Sequence, residues 1–517
     1  IINKTKAGYS GSTFYPLSMP WGIMTAGNNE KDQADFYNDI LEASCGCLNK
    51  KLTEVLVRES YDRYLELCNY GIKFRALSDN NEKPCFGNRP RGAQLISVDN
   101  ARNCLFQQLK HRNIRIIDNL YVFDILVHEN TCFGALGTDD TDNIKVILSK
   151  TTIMATGGAE NLWQYNLVTS DVAGDGYAMA VRHGAWLMNM EFIQFIPGLV
   201  NPVAKINFHH PTLVSLPAVR NYKGDEFLDR YLPEEITVEK CVTERARHGP
   251  FSCEDSSKYF DIAICSEETN ENNGVYGAEL IYNDLFYNDE KHGLWREFLS
   301  SRGIDTKKES IRIYPHCQGF NGGIVIDENC STDIENLYAS GECAGGPHGA
   351  NRIGGNAILA TQVFGKIAGE QAAKKAFEIK YSGEKINYQK YLRQSFETGN
   401  DCTVTCDNVL DNIKKVMQRC GCIIREEEII KEGLSILEQM HKNYNCFKYI
   451  KKEKDLKKAF NAHNSLTSAR MILYAMLQRR ESRGGHYRKD FPQKSEGMFG
   501  SINYCSMNDI YDIQVFK

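Results

Sequence analysis

NLYASGECAGGPHGANRIGGNAILATQVFGKIAG, residues 336–369, is the stretch whose reading decides the fold. It opens with a short apolar run, Leu337-Tyr338-Ala339, that turns at Ser340-Gly341-Glu342, the pattern of a buried strand ending in a tight turn. It closes with an Ala/Ile/Val/Phe segment, residues 356–368, whose apolar spacing predicts a helix packed in a core. Between them lie Gly341, Gly345, Gly346, Gly349, Gly354 and Gly355, a density that lets backbone amides approach a ligand without a Cβ in the way. A glycine-rich turn that feeds a helix N-terminus is an anion or phosphate site by geometry and dipole. Arg352 lies inside that turn, where its guanidinium can fork onto a carboxylate.

Outward from this stretch, the 517 residues leave room for two or three domains and a sizeable core. With 42% hydrophobic and 25% charged residues, disordered and collagen-like classes are excluded. The net charge of −5, without a dominant basic tract, argues against a nucleic-acid partner. No apolar run reaches the ~18 residues a membrane span needs. Among the 18 cysteines the closest pairs are Cys45-Gly-Cys47, Cys402 with Cys406, and Cys420-Gly-Cys422. None has the C-x2-C spacing of a zinc or iron–sulfur clamp, so we expect no metal and read the cysteines as reduced thiols in a cytoplasmic protein.

Ahead of the central stretch, residues 10–26 read as a Gly/Ser/Pro-rich loop and residues 31–70 as a helical stretch with core patterning at Leu52, Val55, Leu56 and Leu65. Residues 100–110 predict a helix; 114–117, 120–127, 146–148 and 152–154 predict strands, the last ending at Ala155-Thr156-Gly157-Gly158. Asp175 and Gly176 lead into an amphipathic helix. From about 197 to 312 the glycines thin out and the pattern turns to mixed α+β. Beyond 387 it is helical, over 409–419, 426–444 and 459–478.

SGE followed by HGANRIGGNAI and VFGKIAG resembles the flavoprotein family of fumarate reductases, succinate dehydrogenases and L-aspartate oxidases. SGSTFYPLSMPWGI (10–23), IMATGGAENL (153–162), GDGYAMAVRHGAWLMNMEFIQF (174–195), GFNGGIVID (319–327) and RRESRGGHYRKDFP (479–492) resemble its other signatures, in the family's order. The resemblance implies an α/β fold: a Rossmann-like FAD-binding domain (1–196 and 313–386), an inserted α+β capping domain (197–312) and a C-terminal helical domain (387–517). It implies hydride transfer between flavin N5 and the C=C or CH–CH of a small carboxylate, with an L-aspartate-oxidase-like reaction or a flavin-bearing electron relay as alternatives. Without an iron–sulfur spacing, electrons are expected to pass to or from a separate redox partner, an iron–sulfur protein or an external carrier. No G-x-G-x-x-G occurs, and Ile1-Ile2 fits the second strand of the unit that such a turn opens. We therefore expect the opening βαβ half to be missing from the chain as given, rather than supplied by another polypeptide.

Carried onto this chain, the resemblance assigns FAD contacts to Ser10, Gly11, Ser12, Thr13, Gly22, Ala155, Thr156, Gly157, Gly158, Asp175, Gly341, Glu342, Arg352, Gly355, Asn356, Ala357 and Ile358. The histidine that tethers FAD in membrane-bound relatives falls on Tyr15, so FAD is expected to be noncovalent. Arg352 takes the place of the arginine that grips a substrate carboxylate. The family's histidine four residues before the paired glycines is Gln318 here, and its His-Pro-Thr is matched further along by His210-Pro211-Thr212. Its proton-donating Arg-Asp pair aligns with Glu254-Asp255. Glu254, Arg247 and His248 are accordingly the expected proton donors, and Gln318, His210 and Thr212 the expected substrate contacts.

Overall fold

The computed structural model describes residues 1–14, 21–76, 83–92, 94–267, 277–380, 405–444, 455–498, 502–505 and 514–516. At its centre the strand Leu337–Ala339, buried throughout, runs parallel to Thr152–Met154, with Tyr338 opposite Ile153. Ile2 bridges Ile117, also in parallel. The glycine loop then leads into the helix Asn356–Glu378, which buries Leu359, Val363 and Phe364 and packs on the strand pair and on the helix Lys50–Asn69. Gly355 caps this helix with φ +86°, and a Cβ there would lie 2.7 Å from Met24 Cγ and 2.9 Å from Met24 N. No other residue type fits that start.

The helical stretch expected over 31–70 is two helices, Glu30–Ala43 and Lys50–Asn69. Cys45 and Gly46 turn left-handed between them, at φ +51° and +83°. The Asn49 side chain then accepts the N–H groups of Lys51 and Leu52, which caps the second helix. The first helix buries Phe36, Ile40 and Ala43 and the second Leu52, Leu56 and Leu67, and the left-handed turn resets the buried face between them.

A ribbon of two long strands, part of a four-stranded sheet, carries the chain out of the main core and back. Ile193–Asn201 pairs antiparallel with Ile311–Phe320. One end of the ribbon places Ile193, Phe195, Cys317 and Phe320 in the main core. The other end places Leu199, Ile311 and Ile313 in a second core with Phe260, Leu280 and Trp295. The expected divisions at 196/197 and 312/313 therefore fall inside continuous strands.

The helices Cys406–Cys420, Glu427–Asn443 and Leu456–Gln478 pack on one another. The last of them reaches the strand Tyr121–His128, where Phe460 stacks on Phe123 with ring centres 3.8 Å apart. Residues 387–404, placed by sequence at the start of the helical region, and Tyr15, at the flavin-tether position, lie outside the described residues. Among the described residues no helix is long and apolar enough to cross a membrane.

Candidate active site

Arg352 stands on the glycine loop, between the strand Leu337–Ala339 and the helix Asn356–Glu378. Its Nε donates to Gln194 Oε1 at 2.8 Å, and Gln194 Nε2 donates back to the Arg352 carbonyl at 3.4 Å. Burial draws its guanidinium below the ordinary arginine value, opposed by Cys85 and Glu342 nearby. Among the described residues no carboxylate lies within ion-pair distance of it. A cation taken from water without a counter-ion is costly, and a bound anion would recover that cost.

Around this arginine the structure gathers groups fitted to a large polar cofactor. The N-terminus of the helix Asn356–Glu378 has no side-chain cap; the Asn356 N–H donates to the Ile353 carbonyl at 3.1 Å, and the first-turn amides at Ala357 and Ile358 follow with the helix dipole behind them. Asn356 is fully buried, yet both atoms of its amide lack a hydrogen-bond partner among the described residues. Gln318 Oε1 is orphaned likewise. It sits where the ribbon's register shifts between Cys317 and Gly319, a bulge that re-aims a side chain. Glu342 Oε1 accepts the Phe320 N–H at 2.9 Å, which ties the SGE turn to the same ribbon. Beyond Met154, Ala155 and Thr156 are exposed at the open end of the parallel pair, followed by Gly157 at φ +76°. These features fit FAD, whose ring and hydroxyls would satisfy the orphaned amides and whose negative portions suit the uncapped helix.

Other expected contacts are differently placed. Asp175 is occupied within the fold: Lys4 pairs with it at 2.7 Å, and Tyr121 and Asn464 donate to its other oxygen at 2.5 and 3.2 Å. Gly22 lies in the strand Trp21–Ile23, opposite Leu95. Gly11 donates to Thr169 Oγ1 at 2.9 Å, Ser10 Oγ bonds the hydroxyl of Thr5, and Ser12 Oγ is buried without a partner. Thr13 lies in the same turn as Ser12.

On the substrate side, too, several expected residues are engaged within the fold. Arg247 is exposed, whereas Arg245, two residues earlier, is fully buried and bonded to Asp261 at 2.6 Å. The helix Val238–Arg245 turns Cys241, Val242 and Arg245 inward together, a helical spacing that could have singled out Arg245. Glu254 accepts the Gly484 N–H at 2.9 Å and pairs with Lys494. It lines a cavity of about 1240 Å³ beside Cys45 and Arg483, which Arg352 does not line. His248 bonds the Pro250 carbonyl at 2.7 Å through Nδ1 and Ser257 Oγ at 3.0 Å through Nε2, so both ring nitrogens are engaged. Thr212 Oγ1 donates to the His209 carbonyl at 2.8 Å and touches Tyr282 Oη at 3.2 Å, an internal turn contact. His210 remains close to the seam between the capping segment and the glycine loop. Burial, then Arg245, His209 and His248, push its pKa far down and keep it neutral.

Three residues join the site that the sequence did not single out. Gln194 holds Arg352, and its place in the EFIQF stretch was the available signal. Cys85 lies between Gly249 and Gly354. Glu160, fully buried with both oxygens unpartnered among the described residues, faces Glu342; burial and that neighbour push its carboxyl well above the ordinary range.

Comparison with known proteins agrees with this geometry. The model of an FAD binding domain matches residues 10–358, and that of the fumarate reductase flavoprotein C-terminal region matches residues 410–511. An uncharacterised FAD-dependent oxidoreductase of Methanocaldococcus jannaschii is 31% identical over 96% of this chain and 90% of its own. A fumarate reductase (CoM/CoB) subunit of Methanothermobacter marburgensis is 29% identical over 90% of this chain and 84% of its own. The E. coli quinol fumarate reductase FrdA chain shares the fold at a TM-score of 0.79 and 22% identity, over 100% of this chain and 91% of that one. With an FAD-binding body, a capping segment on its ribbon and a C-terminal helical region, this chain belongs to the flavoprotein family of fumarate reductases, succinate dehydrogenases and L-aspartate oxidases.

Proposed function

We propose that this FAD-dependent oxidoreductase reduces the activated C=C bond of a small unsaturated carboxylate. The observation that carries this reading is Arg352: a desolvated guanidinium on the glycine loop, fixed by Gln194 and without a carboxylate partner among the described residues. A substrate carboxylate supplies the missing counter-charge, and a planar fork fixes its orientation. The orphaned Gln318 Oε1 adds a polar contact at the bulge of the ribbon. Bound FAD supplies the hydride; the chain must orient the substrate, polarise its carboxylate and deliver a proton. Electrons reach the site from a separate redox protein or an external carrier.

The test is anaerobic. The full-length flavoprotein is reduced and its reoxidation followed on adding fumarate and other unsaturated carboxylates. Rapid reoxidation by at least one is expected, with loss of that reactivity in Arg352→Ala. Silence across the panel, with FAD bound and stably reduced, would remove the enoate reading.

A further inference from the structure

With Glu254 held by Lys494 and Gly484, Arg247 in solvent and His248 bonded at both nitrogens, no expected donor is placed to protonate a substrate at Arg352. Buried His210 is kept neutral by its surroundings and holds no acidic proton to give. One proton-bearing group does stand at the seam.

We propose that Cys85 is the proton donor of the reduction, its S–H protonating the carbon next to the one that accepts hydride. The proposal rests on the enoate reading above. Three observations place the thiol. The Cys85 carbonyl accepts the Gly354 N–H at 3.0 Å, which fastens its loop to the turn carrying Arg352. Its Sγ accepts the Gly249 N–H at 3.3 Å from the capping segment. A Cβ on Gly354 would lie 3.2 Å from Cys85 Cβ, and one on Gly249 would lie 3.3 Å from His210 Nδ1. The sulfur thus sits where the glycine loop and the capping segment meet, and both glycines keep that meeting close.

Its chemistry suits the step. Burial pushes the Cys85 thiol up to about 11, against the pull of the Gly249 N–H and the Arg352 and Arg245 guanidiniums. It therefore carries its proton at neutral pH, yet remains far more acidic than the carbon it must protonate. A C–H bond forms at the second alkene carbon as the S–H bond breaks, and its electron pair stays on sulfur. Both electrons that reduce the alkene enter with the hydride, so the cysteine is neither oxidised nor reduced. The same amide and guanidiniums that lower its pKa stabilise the thiolate, which regains a proton from water at this half-buried site.

The experiment uses the full chain loaded with FAD and reduced anaerobically, wild type against Cys85→Ala and Cys85→Ser. Reoxidation by the reactive enoate is expected to fall by about 100-fold or more in Cys85→Ala. Reoxidation by ferricyanide and the flavin spectral change on binding malonate should be unchanged, separating proton delivery from flavin and carboxylate binding. An alanine variant that keeps the wild-type enoate rate overturns the proposal. A wild type unreactive with every enoate overturns the underlying reading instead. Should the variants lose flavin, alkylation of the wild type decides. Iodoacetamide modification mapped to Cys85, slowed by malonate, should abolish enoate but not ferricyanide reactivity; full enoate reactivity after modification at Cys85 overturns the proposal.

Discussion

Two kinds of arginine environment stand side by side in this molecule, one fully buried and one half-buried. In the C-terminal region Arg479, Arg483 and Arg488 are essentially inaccessible, and each has a carboxylate. Arg479 pairs with Glu191 at 2.5 Å and Glu481 at 2.9 Å, Arg483 with Glu481 at 2.7 Å, and Arg488 with Asp490 at 2.7 Å. Burial pulls the Arg479 pKa down, but the Glu191 charge outweighs it and holds the guanidinium above its ordinary value. Arg352 is desolvated too, yet its neighbour is the neutral Gln194 and its pKa is lowered. The first arrangement is closed and self-neutralising. The second is left one anion short. Fully buried Arg425, bonded to the Cys422 and Glu191 carbonyls and to His486, likewise has no carboxylate within ion-pair distance among the described residues. The proposal that Arg352 binds substrate therefore rests on its place in the glycine loop as well as on its missing counter-charge.

Removing either kind should produce opposite phenotypes. Arg479→Ala takes from buried Glu191 the cation that pairs with it, while Glu481 keeps Arg483, and about 3–5 kcal/mol of stability should be lost. Urea or thermal unfolding reads it directly, and a variant as stable as wild type would erase the distinction. Arg352→Ala should leave unfolding stability unchanged or raised by about 1 kcal/mol, because it withdraws an unpaired buried charge. Its cost should fall on kcat/KM for the carboxylate substrate, by about 100-fold or more, the ~3 kcal/mol of a lost buried charge contact. A destabilised Arg352→Ala with normal turnover would reverse the assignment.

The same contrast shows what the sequence could and could not disclose. The central strand, turn and helix were legible because their signals are local: glycine density, apolar spacing and a turn triad within residues 336–369. Arg352 was legible for the same reason. The partner that engages Glu254, Lys494, lies 240 positions away, and no local pattern reports it. The Cys45–Gly46 break was hidden because apolar residues recur at helical spacing on both sides of it. The surroundings of Asp175 were not legible because Lys4, Tyr121 and Asn464 converge on it from three distant segments.

A smaller effect tests how far the Arg352 charge reaches. His348, 7% exposed on the same loop, has its pKa lowered from 6.5 to about 3 by burial and by Arg352. Between those values the unfolded chain binds a proton that the folded chain refuses. This group therefore makes stability rise with pH across the window, by about 1.4 kcal/mol per pH unit, and fall on acidification below 6.5. In Arg352→Ala one cause of the depression is gone, so the folded pKa should rise and the acid side of the window narrow. Unfolding midpoints compared at pH 4 and 6 should show a shallower acid loss, by about 1 kcal/mol or less. An unchanged or steeper loss would mean that burial alone sets the His348 pKa.

The weakest expected effect belongs to a carboxyl that resembles neither arginine set. Glu160 is fully buried, its oxygens have no hydrogen-bond partner among the described residues, and burial with the neighbouring Glu342 keeps it protonated. A neutral acid beside a carboxylate resembles an amide in shape and charge, so Glu160→Gln should change stability by less than about 1 kcal/mol and retain FAD. Glu160→Asp is the sharper control, since shortening the side chain withdraws the group from Glu342 without changing its chemistry. If Glu160→Gln instead released FAD or cost several kcal/mol, Glu160 would be an ionised partner of an unrecognised cation. The site would then hold two charges awaiting partners, and the missing counter-charge of Arg352 would no longer point to substrate alone.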